Sequence, residues 1–272
     1  MKNFDQKKTS DFAKNLRKNI LKMSLSAGSA SSHFGGALSC IDIVAVLFQN
    51  LINYNKNNFR EISRDRFILS KGHACMSLYS VLKEIGIISE TEMLTFEKSN
   101  SFLLGHPVKN LEKGIELSTG SLGMGLSVSM GIALGLKKNQ INSKVYVIIG
   151  DGECNEGSIW EVALSAPKFN LDNLCIILDR NNFQQTGSGK EILDLNPIKE
   201  KWKSFNWDVL EIDGHNYQDI YNSLIKTCKK PKIIIANTIK GKGFSFSENN
   251  NAWHHKILTN NQYQEALIEL NK

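Results

Sequence analysis

Asp151 and Asn181 are the residues of this 272-residue chain whose types and spacing point most directly to chemistry. Asp151 lies in Gly150-Asp151-Gly152-Glu153, directly after the apolar run Val145-Tyr146-Val147-Ile148-Ile149, and offers a carboxylate. Asn181 stands thirty positions later, after a second apolar run, Leu174-Cys175-Ile176-Ile177-Leu178-Asp179, and offers an amide carbonyl. Oxygen donors of this kind suit a hard divalent cation. Mg²⁺ takes few protein ligands and completes its shell with substrate phosphates and water. Gly150 and Gly152 suit a backbone path, often at positive φ, that brings main chain close to a bound group. A lone Gly-Asp-Gly is commonly an ordinary turn. Glu156-Gly157, the helix pattern that follows and the Asn181 strand end make a site for Mg²⁺ and a diphosphate the better reading.

The histidines form a second constellation. His33, His73, His106, His215, His254 and His255 sit mostly in glycine- or aromatic-flanked segments. Imidazole donates to anionic oxygens and carries protons near neutral pH. Any one of these rings alone reads more readily as structural. Lys240 and Lys242 flank Gly241 in a polar stretch and are candidates to assist a diphosphate, with a solvated surface as the equal alternative.

These residues must be held by an alternation of strands and helices. Phe12, Leu16, Ile20 and Met23 recur at helical spacing and predict a helix over 5–27, followed by a loop of small residues from Gly28 to Gly36. Ser39 is placed to cap the next helix, with Ile41, Val44, Ala45 and Phe48 as its apolar stripe. Strands are expected at 66–69, 144–149, 174–179, 207–212 and 232–237, and helices after Ala74, over 157–166, over 217–226 and over 260–270. The stretch from Thr119, TGSLGMGLSVSMGIALGL, reads as a helix so rich in small residues that it should pack closely against another backbone or a ligand. The alternation predicts one α/β domain over 1–272, a three-layer parallel sheet with helices on both faces.

Composition bounds the rest. The chain is 41% hydrophobic and 22% charged, which suits a soluble globular domain with material for a core. A net charge of +6 is modest and favours anionic small molecules; the lysines are scattered and no aromatic–basic pattern argues for nucleic acid. No apolar run approaches the roughly 20 residues needed to span a bilayer. The five cysteines are odd in number and far apart, which reads as reduced thiols in a cytoplasmic protein, with Cys40 and Cys175 in the core.

GDGECNEG…LDRNN resembles the thiamine diphosphate motif, and nearly the whole chain resembles the N-terminal, diphosphate-binding domain of transketolase. Ser32-His33-Phe34-Gly35-Gly36, Asp65-Arg66-Phe67-Ile68-Leu69-Ser70-Lys71-Gly72-His73-Ala74, Gly105-His106-Pro107 and Trp253-His254 each resemble a histidine segment of that family. The resemblance implies Mg²⁺ held by Asp151, Asn181 and the backbone carbonyl of Phe183. It places His73, His254, Lys240 and the Gly150–Gly152 turn near the cofactor diphosphate, His33 and His106 nearer the substrate's reacting carbons, Gly120, Ser121 and Leu122 along the cofactor's middle, and Glu156 beside the metal motif and a subunit interface. His33, His106 and His254 become the candidate catalytic residues. The sequence departs from the pattern at Ser32 and His255, where glycine is usual, and His215 reads as a packing residue of an Asp-Gly-His turn.

A full-length transketolase also carries a pyrimidine-binding and a C-terminal domain. This sequence ends after the first domain, so the resemblance implies the N-terminal subunit of a split transketolase. It would act with a C-terminal subunit in an α2β2 assembly and transfer a two-carbon ketol unit from a ketose phosphate to an aldose acceptor. The weighed alternatives are another thiamine enzyme, of the deoxyxylulose-phosphate synthase or keto-acid dehydrogenase type, and a non-catalytic assembly subunit.

Overall fold

Five short runs rich in Val, Ile and Leu form the strands of one sheet: β1 (Arg66–Leu69), β2 (Val145–Gly150), β3 (Leu174–Arg180), β4 (Asp208–Asp213) and β5 (Lys232–Asn237). The computed structural model describes residues 4–271. All neighbouring strands are parallel, in the order β1-β2-β3-β5-β4. The three inner strands are buried almost throughout, whereas the edge strand β4 is half-exposed. That difference explains why the inner runs read as continuous apolar stretches while β4 alternates with Asp and Glu.

The period of two along each strand sorts the core into two layers. Tyr146, Ile148, Cys175, Ile177 and Ile234 face one way. Against them pack α1 (Gln6–Ala27), α2 (Phe34–Ser39), α3 (Ile41–Asn50) and α4 (Cys75–Glu84), with the short α5 (Glu90–Met93) at the margin. Val145, Val147, Ile149, Ile176 and Ile233 face the other way, toward α6 (Met124–Lys138), α7 (Gly157–Lys168) and, past the short α8 (Gly189–Ile192), α9 (Ile198–Ser204). Helices α10 (Tyr217–Ile225) and α11 (Asn260–Leu270) complete the first layer. The expected three-layer α/β architecture is what the chain adopts.

Two local expectations fail. The segment 28–36 is not all loop: a single 3-10 turn at Gly28–Ala30 is followed by α2 from Phe34. Ser39 caps nothing, because it closes α2 and the start of α3 has no side-chain cap. Its hydroxyl instead donates to Asp179 Oδ2 at 2.5 Å. A long-range polar partner outweighs the local capping role, which sequence spacing does not reveal. The small-residue stretch does form α6. Gly125 meets the Ser70 side chain so closely that a Cβ would stand 2.3 Å from Oγ, whereas Gly131 and Gly135 have nothing within 4 Å.

All five cysteines are free; Cys40, Cys75, Cys154 and Cys175 are buried, and Cys228, just before β5, is partly exposed. Burial pushes the Cys154 thiol well above its ordinary range, so it offers no nucleophile beside the Gly-Asp-Gly turn. Among the described residues no helix is long and apolar enough to cross a membrane.

Candidate cofactor site

The register pairs Gly150 with Asp179, so the ends of β2 and β3 lie side by side and release Asp151 and Asn181 onto one rim. Ligands of open parallel sheets bind beyond the carboxyl ends of the strands, and this rim is such a place. Asp151 is buried; its Oδ1 accepts the Gly152 N–H at 2.8 Å and its Oδ2 the Asn182 N–H at 2.5 Å. Burial and the nearby Asp179 raise the Asp151 carboxyl to about 6, against the lowering effect of those backbone donors. A divalent cation beside this carboxyl would favour its charged form.

Asn181 is also buried, with Oδ1 accepting the Phe183 N–H at 3.1 Å. No group of three His, Cys, Asp or Glu side chains among the described residues would enclose a metal. The local donors are one carboxylate, one amide oxygen and main-chain carbonyls. They fit a hard ion whose remaining ligands come from a diphosphate and water. Gly150 and Gly152 do not adopt positive φ; among neighbouring residues the left-handed position is Asn182, at 63°. Glycine matters at 152 for space instead, since a Cβ would approach Gln184 Cγ to 3.1 Å.

Below this turn lies a buried polar floor that the local sequence pattern does not announce. Lys71, 1% exposed, donates to Asp179, which also accepts from Ser39 and Thr238. Burial alone would raise Asp179, but the Lys71 ammonium together with the Ser39 and Thr238 hydroxyl donors holds the carboxyl below its ordinary value. Glu153, equally buried, accepts from the Ser70 hydroxyl and from the N–H groups of Gly123, at 2.8 Å, and Gly150, at 3.2 Å. It thereby ties the end of β1 and the start of α6 to the Gly-Asp-Gly turn. The one signal in the sequence is a charged residue inside each of two glycine-flanked strand ends, and the partners are far away along the chain.

Five histidine rings cluster here, four of them lining the cleft. The His33 ring centroid is 5.5 Å from those of His73 and His106, 5.4 Å from His254 and 4.4 Å from His255. His33 is lowered to about 3, chiefly by burial and then by His255, and His254 to about 4 by burial and Lys240. Burial also carries His73 well below its usual value. His33, His73 and His254 are therefore neutral near pH 7, able to donate through one nitrogen and accept through the other. His254 lines the cleft, whereas His255 is exposed and bonds to Ser31 Oγ.

Lys240 is 1% exposed and donates to Asn251 Oδ1 at 2.6 Å, to His254 Nδ1 at 3.0 Å and to the Gln184 carbonyl at 3.3 Å. Burial and Lys71 lower its ammonium to about 8. Lys242 instead pairs with Glu248 at 3.2 Å and takes no part in the cleft. His33, His73, His106, Gly120, Leu122, Asp151, Glu156, Asn181, Phe183, Lys240 and His254 all line one cleft of about 350 Å³, with Gly150 and Gly152 in its floor. Ser121 is exposed and outside that lining. Gly120 has φ 140° and a Cβ there would stand 2.8 Å from His106, so the close approach of that ring needs glycine at this point.

The family model described as transketolase, thiamine diphosphate binding domain, matches residues 11–270. The chain belongs to the transketolase family. It is 40% identical to one of the subunits of the apulose-4-phosphate transketolase of Phocaeicola vulgatus over 245 residues, covering 89% of this chain and 87% of that one. It is 39% identical to a 6-deoxy-6-sulfo-D-fructose transketolase subunit of a Clostridium species over 243 residues, covering 88% of each. Human transketolase is 35% identical over 261 residues, 96% of this chain but 41% of that one. A crystal structure of Campylobacter jejuni transketolase superposes with a TM-score of 0.90 at 30% identity, covering 98% of this chain and 43% of that one. The chain thus spans about two-fifths of the full-length transketolases and most of the length of the two relatives named as separate subunits. The cleft lies at the C-terminal rim of the sheet, within the residues that the thiamine diphosphate binding domain matches.

Proposed function

We propose that this chain is the thiamine diphosphate-binding subunit of a split transketolase that moves a two-carbon ketol unit from an anionic ketose to an aldose acceptor. The observation that carries the reading is the convergence of Asp151, Asn181, Lys240 and the neutral histidines in one cleft. The relatives named as separate transketolase subunits support the split arrangement, since the match runs over most of their length. Their names point to two ketoses, apulose 4-phosphate and a sulfofructose. Both carry an anionic group away from the ketol end, which sets the substrate class we favour.

Thiamine diphosphate, when bound, supplies the carbon nucleophile and the electron sink. In our reading the carboxylate of Asp151, the Asn181 amide oxygen and the Phe183 carbonyl hold Mg²⁺, while Lys240 and His73 offset diphosphate charge. Lys240 engages Nδ1 of His254, so that ring keeps its proton on Nε2 and offers it to a substrate oxygen. His33 and His106 stand across the cleft, where they polarise the ketol oxygens and move protons during bond breaking and making. Gly120 and Leu122 line the cofactor's middle, and Glu156 stands at the exposed lip.

The partner would bring the pyrimidine-binding and C-terminal domains, in an α2β2 assembly. Support comes from the outer face of α6, where Met124 is 52% exposed, Val128 follows a turn later and Gly131 is uncovered. All five described strands share one sheet, so we treat the chain as one diphosphate-binding domain. Free thiols suit a cytoplasmic location.

The test is ketol transfer from xylulose 5-phosphate to ribose 5-phosphate with thiamine diphosphate and Mg²⁺, with and without the C-terminal subunit. Turnover in the mixture alone supports the proposal. Equal turnover by this chain alone rejects the split arrangement, and a complex that binds no cofactor rejects the catalytic reading.

A further inference from the structure

His215 stands outside the cleft, in the Asp213-Gly214-His215 turn after β4, yet both of its ring nitrogens are engaged. Nε2 lies 2.8 Å from the backbone N of Ile239, and Nδ1 lies 2.8 Å from Asp42 Oδ2. A backbone N–H can only donate, so Nε2 is the bare acceptor and Nδ1 carries the proton, which it gives to Asp42. Asp42, 3% exposed, also accepts from Arg17 Nη2 at 2.8 Å and from the Tyr217 hydroxyl at 3.1 Å. Burial alone would raise this carboxyl, but the Arg17 guanidinium and the His215 hydrogen bond hold it well below the usual range.

The reach of this buried group is longer than its contacts. Through His215 it holds the Ile239 N–H; through Arg17 Nε, 3.4 Å from the Lys242 carbonyl, it holds the other flank. Between those two grips lies Lys240. Gly241 has φ 77° and no room for a Cβ, which would stand 2.2 Å from the Ser247 carbonyl oxygen. Its N–H donates to the Gly35 carbonyl at 3.0 Å. The segment is thus fixed at both flanks and in its middle, and its one long side chain in the cleft is Lys240.

We propose that Asp42, Arg17 and His215 form a positioning clamp that aims Lys240 at the cofactor diphosphate, with the Nδ1-protonated form of His215 as the part that transmits position. His215 would be a positioning residue for this reaction rather than a packing one. The inference rests on the reading of Lys240 as a diphosphate ligand.

Asparagine and glutamine separate the two ring nitrogens. His215→Asn keeps a donor near Asp42 but is too short to accept from Ile239. His215→Gln can place Oε1 where Nε2 was. In the complex with Mg²⁺ and the C-terminal subunit, His215→Asn should weaken thiamine diphosphate binding about tenfold, a loss of one well-made hydrogen bond. His215→Gln should stay within about threefold, and kcat at saturating cofactor should change less than about twofold in both. Lys240→Met should itself weaken binding, and adding His215→Asn to it should cost nothing further, as expected for residues acting in series. Additive losses, or equal losses in the Asn and Gln variants that track their urea midpoints, would overturn the clamp. If Lys240→Met leaves affinity unchanged, the diphosphate reading of Lys240 fails and the clamp fails with it. If Lys240→Met weakens binding and His215→Asn does not, the clamp alone fails.

Discussion

Lys240 Nζ lies 3.0 Å from His254 Nδ1, so a buried ammonium sets the proton position and, added to burial, helps keep neutral a ring that faces the cleft. The ammonium offers its proton to Nδ1 and disfavours a second positive charge beside it. His254 therefore stays neutral, lowered to about 4 by burial and Lys240. Removing the charge and the donor in Lys240→Met should let His254 titrate closer to its ordinary 6.5. Histidine NMR titration of the two proteins checks this, and an unmoved His254 would refute the pairing.

The histidine cluster makes the fold acid-sensitive. His33 and His254 have folded values of about 3 and about 4, against 6.5 when unperturbed. Below 6.5 the unfolded chain takes up protons that the folded chain refuses. Stability is therefore full above 6.5 and falls as pH drops toward the folded values. Thermal melts between pH 7.5 and 4.5 should show a steeper loss for the wild type than for a His33→Gln, His254→Gln double variant. Parallel curves would contradict the assignment of neutral rings.

Metal affinity should depend on pH through Asp151. The carboxyl sits at about 6, raised by burial and then by Asp179, so its cation-binding form declines as pH falls through that value. The stabilisation given by Mg²⁺ with thiamine diphosphate should be large at pH 7.5 and much smaller at pH 5.5. Asp151→Asn should abolish that stabilisation at both pH values, and it should also lower apo stability by about 1–3 kcal/mol, because the amide can accept from only one of the Gly152 and Asn182 N–H groups. Calorimetric melts with and without Mg²⁺ decide it.

Gly72 has a neighbour that tolerates no side chain. A Cβ there would stand 2.5 Å from the Thr119 carbonyl carbon and 2.6 Å from Gly120 N, which are backbone atoms with nowhere to go. Gly72→Ala should destabilise the chain by about 2 kcal/mol or more. It should also push His73 away from His106, because Gly72 directly precedes His73 and the Thr119–Gly120 backbone it would meet packs against the His106 ring. A urea midpoint matching the wild type would show that the approach is looser than described.

The inner strands are legible in the sequence because parallel strands covered on both faces must be continuously apolar, and Val145–Ile149, Leu174–Leu178 and Ile233–Ile235 are. Asp151 and Asn181 are legible for the same reason: each follows such a run. What stays hidden has long-range causes. Ser39 looks like a cap because Asp179, its true partner, lies 140 residues away. Lys71 and Glu153 do not stand out because Asp179, the partner of Lys71, and Ser70 and Gly123, partners of Glu153, each lie 30 or more residues from the group they satisfy. The short helix α9 is silent because two buried residues, Ile198 and Trp202, are too few to announce a period. His215 reads as packing from its Asp-Gly-His turn; its two engaged nitrogens become visible only when β4, α3 and the Ile239 segment are brought together.

Cys228 gives the molecule a built-in attachment point. Of the five thiols it is the one not buried, and it precedes β5, at the end of the sheet away from the chemistry. Burial raises its value despite the nearby Lys232, so a maleimide dye will couple best at mildly alkaline pH. A single fluorophore can thus be introduced without mutagenesis and without touching the rim, and its signal would follow the joining of subunits while the cleft remains unmodified.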